Sequence, residues 1–160
     1  NSWEGTEYEQ FGDALEAVIA LSATSEGMPL LYNGQEAGNT KRLEFFEKDP
    51  IQWKPDPMGE FYKSLFVLKK KNSALWNGKW GARMIYVPNS APLQVFSFVR
   101  QNENDKVFAV FNFSAEVQNV QFKESLFHGK YVDHTHGNQV ELSASTQLVL
   151  QPWEYHIFVK

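Results

Sequence analysis

Four groups of side chains have types and spacings that can do chemistry. Gln35 and Glu36 adjoin in a polar segment just after Gly34. Their amide and carboxylate can hydrogen-bond sugar hydroxyls, or brace neighbouring loops. His134 and His136 are spaced i, i+2; on a strand they would share a face and could hold a metal. Gly137-Asn138 follows at once and the sequence offers no evident third ligand, so an ordinary polar turn without metal is expected. Trp76, Trp80 and Trp153 could stack on sugar-ring C–H faces if exposed and coplanar. Trp153 lies beside Pro152 in a hairpin, and Trp76 and Trp80 lie in a junction, positions that favour packing. Ser143, Ser145 and Thr146 have no His and carboxylate arranged as a hydrolytic triad requires. There is no phosphate loop or dinucleotide fingerprint, and the absence of cysteine excludes disulfides and thiolate ligands. No catalytic residue and no cofactor is expected.

The chain that must position these groups has 160 residues, 42% hydrophobic and 15% aromatic, enough to bury a core. Thirteen Phe, six Tyr and five Trp favour strands. A net charge of −4 without a basic patch argues against nucleic acid. The cationic run Lys69-Lys70-Lys71 falls at the end of a predicted helix, where it complements the macrodipole. No apolar run reaches the roughly 18 residues of a membrane span. The opening Asn1-Ser2-Trp3-Glu4-Gly5 has no initiator methionine and reads as a polar turn inside a longer chain. The compartment stays open between export and cytoplasm.

The first predicted element is a helix, with Thr6 and Glu9 as a capping box. Phe11, Ala14, Leu15, Val18 and Ile19 recur at helical spacing, and Gly27 and Pro29 stop the run. Leu30 to Tyr32 then read as a short buried strand of a parallel α/β layer. Residues 36–56 read as an ordered loop with aromatic anchors Phe45, Phe46 and Trp53. Asp56 caps a second helix with Pro57 at its first position, ending near Asn72. From Met84 the texture turns to period two. Strands are expected at 84–87, 93–100, 106–113, 117–122, 130–133, 139–142, 146–150 and 155–159, an antiparallel sandwich. The segment Lys106–Phe113 is apolar on both faces and suits a central strand.

Several of these segments carry a resemblance. Gly27-Met28-Pro29-Leu30-Leu31-Tyr32-Asn33-Gly34-Gln35-Glu36 resembles the "GxPxxYxGxE" segment of the α-amylase family of glycoside hydrolases (family 13). Phe61–Leu65 and Lys69–Leu75 resemble that family's last barrel helix and its exit. Gly129–Asp133 resembles a strand of its C-terminal sandwich, and Leu148–Phe158 its last hairpin.

The resemblance implies the end of a (β/α)8 TIM barrel over residues 1–78 and a C-terminal antiparallel β-sandwich over 79–160. It implies a parent enzyme that hydrolyses, or transfers, α-glucosidic bonds of starch or maltodextrin. The family's three catalytic carboxylates would all lie before residue 1, so this stretch alone is expected to be inactive. Its partners would be the N-terminal barrel portion of the same protein and the parent's α-glucan substrate. Gln35 and Glu36 become candidate substrate contacts on a barrel loop, and Trp76 and Trp80 candidate sugar-stacking residues. A glucan-binding module, or a structural domain without ligand, remains an alternative.

Overall fold

The computed structural model describes residues 4–44 and 46–160. Phe45 and the opening residues Asn1, Ser2 and Trp3 lie outside the described residues.

Helix α1, Glu7–Phe11, begins with the expected capping box. The Thr6 N–H donates to Glu9 Oε2 at 2.7 Å, and the Glu9 N–H to Thr6 Oγ1 at 3.4 Å. One continuous helix was expected; instead a 3-10 turn, Gly12–Ala14, separates α1 from α2, Leu15–Thr24. Gly12 takes φ 49°, open to a residue without Cβ. Helix α3, Pro57–Lys71, starts as expected: Asp56 Oδ1 accepts from the Met58 N–H at 3.0 Å, and Pro57 lacks the N–H that would be unpaired there. The helix buries Tyr62, Leu65 and Leu68, three residues apart along one face.

Two expectations fail between these helices. Leu30 to Tyr32 form no strand, and Leu30 is 85% exposed. An isolated apolar stretch cannot satisfy its backbone as a strand without a neighbour to pair with. Phe46 and Trp53, expected as buried anchors, are 82% and 60% exposed.

All eight expected strands form, with ends shifted by no more than two residues. They are β1 Met84–Tyr86, β2 Val95–Gln101, β3 Lys106–Asn112, β4 Gln118–Gln121, β5 Gly129–Asp133, β6 Gln139–Leu142, β7 Gln147–Leu150 and β8 Tyr155–Val159. They make a six-stranded sheet, β1-β2-β3-β8-β5-β6, and a β4-β7 ribbon, antiparallel throughout.

The alternation of β3 explains the layering. Val107, Ala109 and Phe111 turn to one face, where they pack with Ala17, Ala20 and Ala23 of α2 and Leu65 and Leu68 of α3. Phe108 and Val110 turn to the other face and pack with Val120 of β4 and Leu150 of β7. The β3 side chains from Val107 to Phe111 are fully buried. A strand apolar on both faces is what a middle layer requires.

Arg100 ties the layers together. It projects from β2 toward the helices and is 1% exposed. Its Nε–H donates to the Ala82 carbonyl at 2.9 Å. Nη1 donates to Ser25 and Thr24 carbonyls at 2.7 and 3.1 Å, and Nη2 to the Trp76 carbonyl at 2.8 Å. The cation thus sits on the C-terminal carbonyls of α2, the negative end of its dipole. Burial lowers the Arg100 pKa, and the Glu26 charge opposes that shift.

Candidate functional site

Gln35 and Glu36 lie in a 3-10 turn, Gln35–Ala37, and each spends a side-chain oxygen on its own loop. Gln35 Oε1 accepts from the Tyr32 N–H at 2.7 Å, and Glu36 Oε2 from the Gly34 N–H at 3.1 Å. Helix α3 closes on this turn at Gly59, where a Cβ would lie 3.0 Å from the Glu36 carbonyl oxygen. The turn is therefore held from within by side chains and from outside by a helix backbone.

Trp76 and Trp80 are 44% and 68% exposed. Trp76 Nε1–H donates to the Lys70 carbonyl at 3.2 Å, which fixes the indole beside the end of α3. Its ring borders an open groove of about 640 Å³ together with Met28, Pro29, Phe66 and Lys69. Trp80 carries the Lys79 ammonium 4.9 Å from its ring centroid, a cation–π contact. Trp153 is half-buried, and its backbone N–H donates to the Ser114 carbonyl at 3.2 Å.

In the groove wall, Lys69 is the uncommon group: a lysine 8% exposed, donating to the Leu75 and Ala23 carbonyls at 2.8 and 3.3 Å. Desolvation, followed by the neighbouring Arg100 charge, lowers its pKa to about 8. The two cations share the C-terminal end of α2.

The histidine pair of the sequence is split by the fold. His134 turns to α3, its Nε2 2.9 Å from Ser64 Oγ. Burial lowers its pKa, partly offset by Asp133. His136 instead meets His156 of β8 through Asp133, the last residue of β5. Asp133 Oδ2 lies 2.9 Å from His136 Nδ1 and 2.7 Å from His156 Nδ1. The Thr135 N–H donates to Asp133 Oδ1 at 2.9 Å. Asp133 is 2% exposed. Burial alone would raise its pKa, but the hydrogen bonds from His156 and His136, with the His156 charge, bring it down to about 2. At neutral pH the carboxylate is therefore ionised and can only accept, so both imidazoles donate from Nδ1. Neither Asp133 nor His156 stands out in the sequence. The signal lies in the β5–β8 register, which sets Asp133 opposite Phe158, two residues beyond His156.

Residues 95–155 match the family model described as the C-terminal domain of the α-amylase SusG. Alpha-amylase 2 of Dictyoglomus thermophilum is 24% identical over 148 residues, covering 83% of this chain and 23% of that protein. The probable oligo-1,6-glucosidase 2 of Bacillus subtilis is 26% identical over 114 residues, covering 65% of this chain and 19% of that protein. Among solved structures, the maltogenic α-amylase AmyB of Thermotoga neapolitana shares the fold with a TM-score of 0.77 at 21% identity, over 93% of this chain and 36% of that one. The Geobacillus thermoleovorans α-amylase complexed with acarbose aligns with a TM-score of 0.72 at 15% identity, over 92% and 33%. The chain thus spans about a quarter or less of these curated relatives.

Proposed function

We propose that this chain, whose residues 95–155 match the C-terminal domain of the α-amylase SusG, is the C-terminal part of a longer α-glucan-active enzyme of the α-amylase family. The parent enzyme cleaves or transfers α-glucosidic bonds of starch or maltodextrin. In this reading residues 1–78 complete the barrel and residues 79–160 form the sandwich that buttresses it. The names of the relatives support the substrate class, and their greater length supports a missing catalytic portion.

The observation that carries the division of labour is the apolar surface on the N-terminal segment. Phe11, Met28, Leu30 and Tyr32 are exposed at 42%, 81%, 85% and 49%. Apolar side chains exposed together in one region mark a surface that meets another part of a protein. Here that partner is the rest of the barrel. Gln35 and Glu36 serve this segment by holding the loop that follows it. Retaining glycoside hydrolysis needs two carboxyl groups about 5–5.5 Å apart across the bond, and this chain is assigned neither.

The test is reducing-sugar release from maltoheptaose by the purified chain. No release is expected. Release above a heat-killed control would refute the assignment of catalysis to the missing portion.

A second reading rests on the exposure of Trp76 and Trp80: a glucan-binding surface. Migration in a native gel cast with soluble starch decides it. Retardation without clearing, relieved by Trp80→Ala, would establish binding; migration unchanged by starch would leave the sandwich a structural buttress.

A further inference from the structure

We propose that Asp133, His136 and His156 form a binding site for a divalent transition-metal ion of the Zn²⁺ type, with one carboxylate oxygen and two imidazole Nδ1 atoms as ligands. One ligand atom from each residue lies within 4.8 Å of the others. A four-coordinate Zn²⁺ with bonds of about 2.0–2.2 Å spaces its ligand atoms roughly 3.3 Å apart. The separations of 2.9 and 2.7 Å from Asp133 Oδ2 to the two Nδ1 atoms depart from that spacing by no more than about 0.6 Å.

The ligands are mounted as a metal site requires. Asp133 and His156 come from β5 and β8, which are paired in the same sheet. Their side chains are 3% and 16% exposed, so the fold holds them in place. His136 comes from the turn after β5, with its side chain 48% exposed, and leaves the site open on one side. That side gives onto a groove bordered by Thr135, His136, Trp153 and Glu154, wide enough for water or an exogenous ligand in the fourth position.

The surroundings of the ligands match as well. Asp133 Oδ1 is occupied by the Thr135 N–H, which fixes the carboxylate and directs Oδ2 at the histidines. His156 Nε2 lies 3.5 Å from Glu154 Oε1. Metal-bound histidines commonly donate their other ring N–H to a carboxylate, which sets the tautomer. The proton balance follows from this. In the metal-free protein each Nδ1 carries the proton it donates to Asp133. On binding, the ion takes the place of those protons. A neutral imidazole then carries its proton on Nε2, which in His156 faces Glu154; an imidazolium releases one proton to solvent. Acid therefore opposes binding.

The experiment is titration of the chelator-treated full chain with Co²⁺, then with Zn²⁺ in competition, followed by visible absorption and calorimetry. One saturable Co²⁺ per chain with the intense visible bands of a four-coordinate ion, displaced by Zn²⁺, is expected. His136→Ala and His156→Ala should each weaken binding by about tenfold or more, and Glu154→Ala by about tenfold. His134→Ala should leave it unchanged, because that imidazole faces Ser64. His136 is half-exposed, so its alanine variant is expected to keep the wild-type circular dichroism, which separates loss of a ligand from loss of fold. Absence of saturable binding by the wild type, or binding that His136→Ala leaves intact, would overturn the proposal.

Discussion

Removing the Arg100 guanidinium should cost this chain a large part of its stability. Arg100→Ala strands four carbonyls that now accept at 3.1 Å or less: those of Thr24, Ser25, Trp76 and Ala82. A buried polar group left without its partner costs about 1–3 kcal/mol. Water can reach some of these carbonyls once the side chain is gone, and the desolvation of a buried cation is relieved at the same time. The balance is a loss of about 3–5 kcal/mol, the range seen when a buried charged network loses one member. With a urea m-value of about 2 kcal/mol/M, the midpoint should fall by roughly 1.5–2.5 M. Arg100→Lys should lie between, since a single ammonium keeps the charge but cannot reach carbonyls on three sides as the planar fork does. Urea unfolding followed by tryptophan fluorescence measures both. A midpoint shift for Arg100→Ala below about 0.5 M, or about 1 kcal/mol, would show that the guanidinium does not join the helices to the sheet.

Three further outcomes follow from the same structure. Lys69 has its pKa lowered to about 8 in the fold, so the unfolded chain binds more protons between about pH 8 and 10.4 and stability should rise with pH across that window; Lys69→Met should flatten the rise in melts at pH 7.5 to 10.5, and an unchanged slope would be inconsistent with a desolvated ammonium. Asp133 has its pKa lowered to about 2, so its contribution is complete above the unfolded value near 3.9 and is lost as pH falls toward 2; about 2 kcal/mol is at stake, and the difference in melting temperature between wild type and Asp133→Asn should shrink from pH 5 to pH 2. Phe108 packs against Phe122, Phe127 and Phe158 in the core under the β4-β7 ribbon, so Phe108→Ala should destabilise by about 3–5 kcal/mol, and a loss under about 1 kcal/mol in denaturant would mean that this core is loosely packed.

Much of the fold was legible because it rests on local rules. Thr6 and Glu9, and Asp56 with Pro57, mark helix starts through bonds that reach only three residues or fewer. The doubly apolar run of β3 reports that both faces of that strand are covered. The same local reading misplaced features that depend on remote partners. Leu30 to Tyr32 have the composition of a buried strand, but a strand is completed by its neighbours, and among the described residues none pairs with it. Phe46 and Trp53 have the composition of anchors, yet both remain largely exposed. Lys69 reads as one of three lysines at a helix end; only the packing of α2 against α3 turns it inward while its neighbours face solvent.

The candidate site divides in the same way. Sequence alone determined the helix caps, the number and order of the strands, the central place of β3 and the likeness to α-amylases. Each of these depends on near neighbours along the chain or on the period of side chains about one element. Tertiary structure decided that His134 and His136 part company, that His136 joins His156 across Asp133, and that Arg100 gathers carbonyls from three separated segments. Those contacts span from 3 to 76 residues, and the long ones depend on strand register and layer packing. A shift of one residue in the β5–β8 register would send Asp133 to the opposite face and dissolve the cluster.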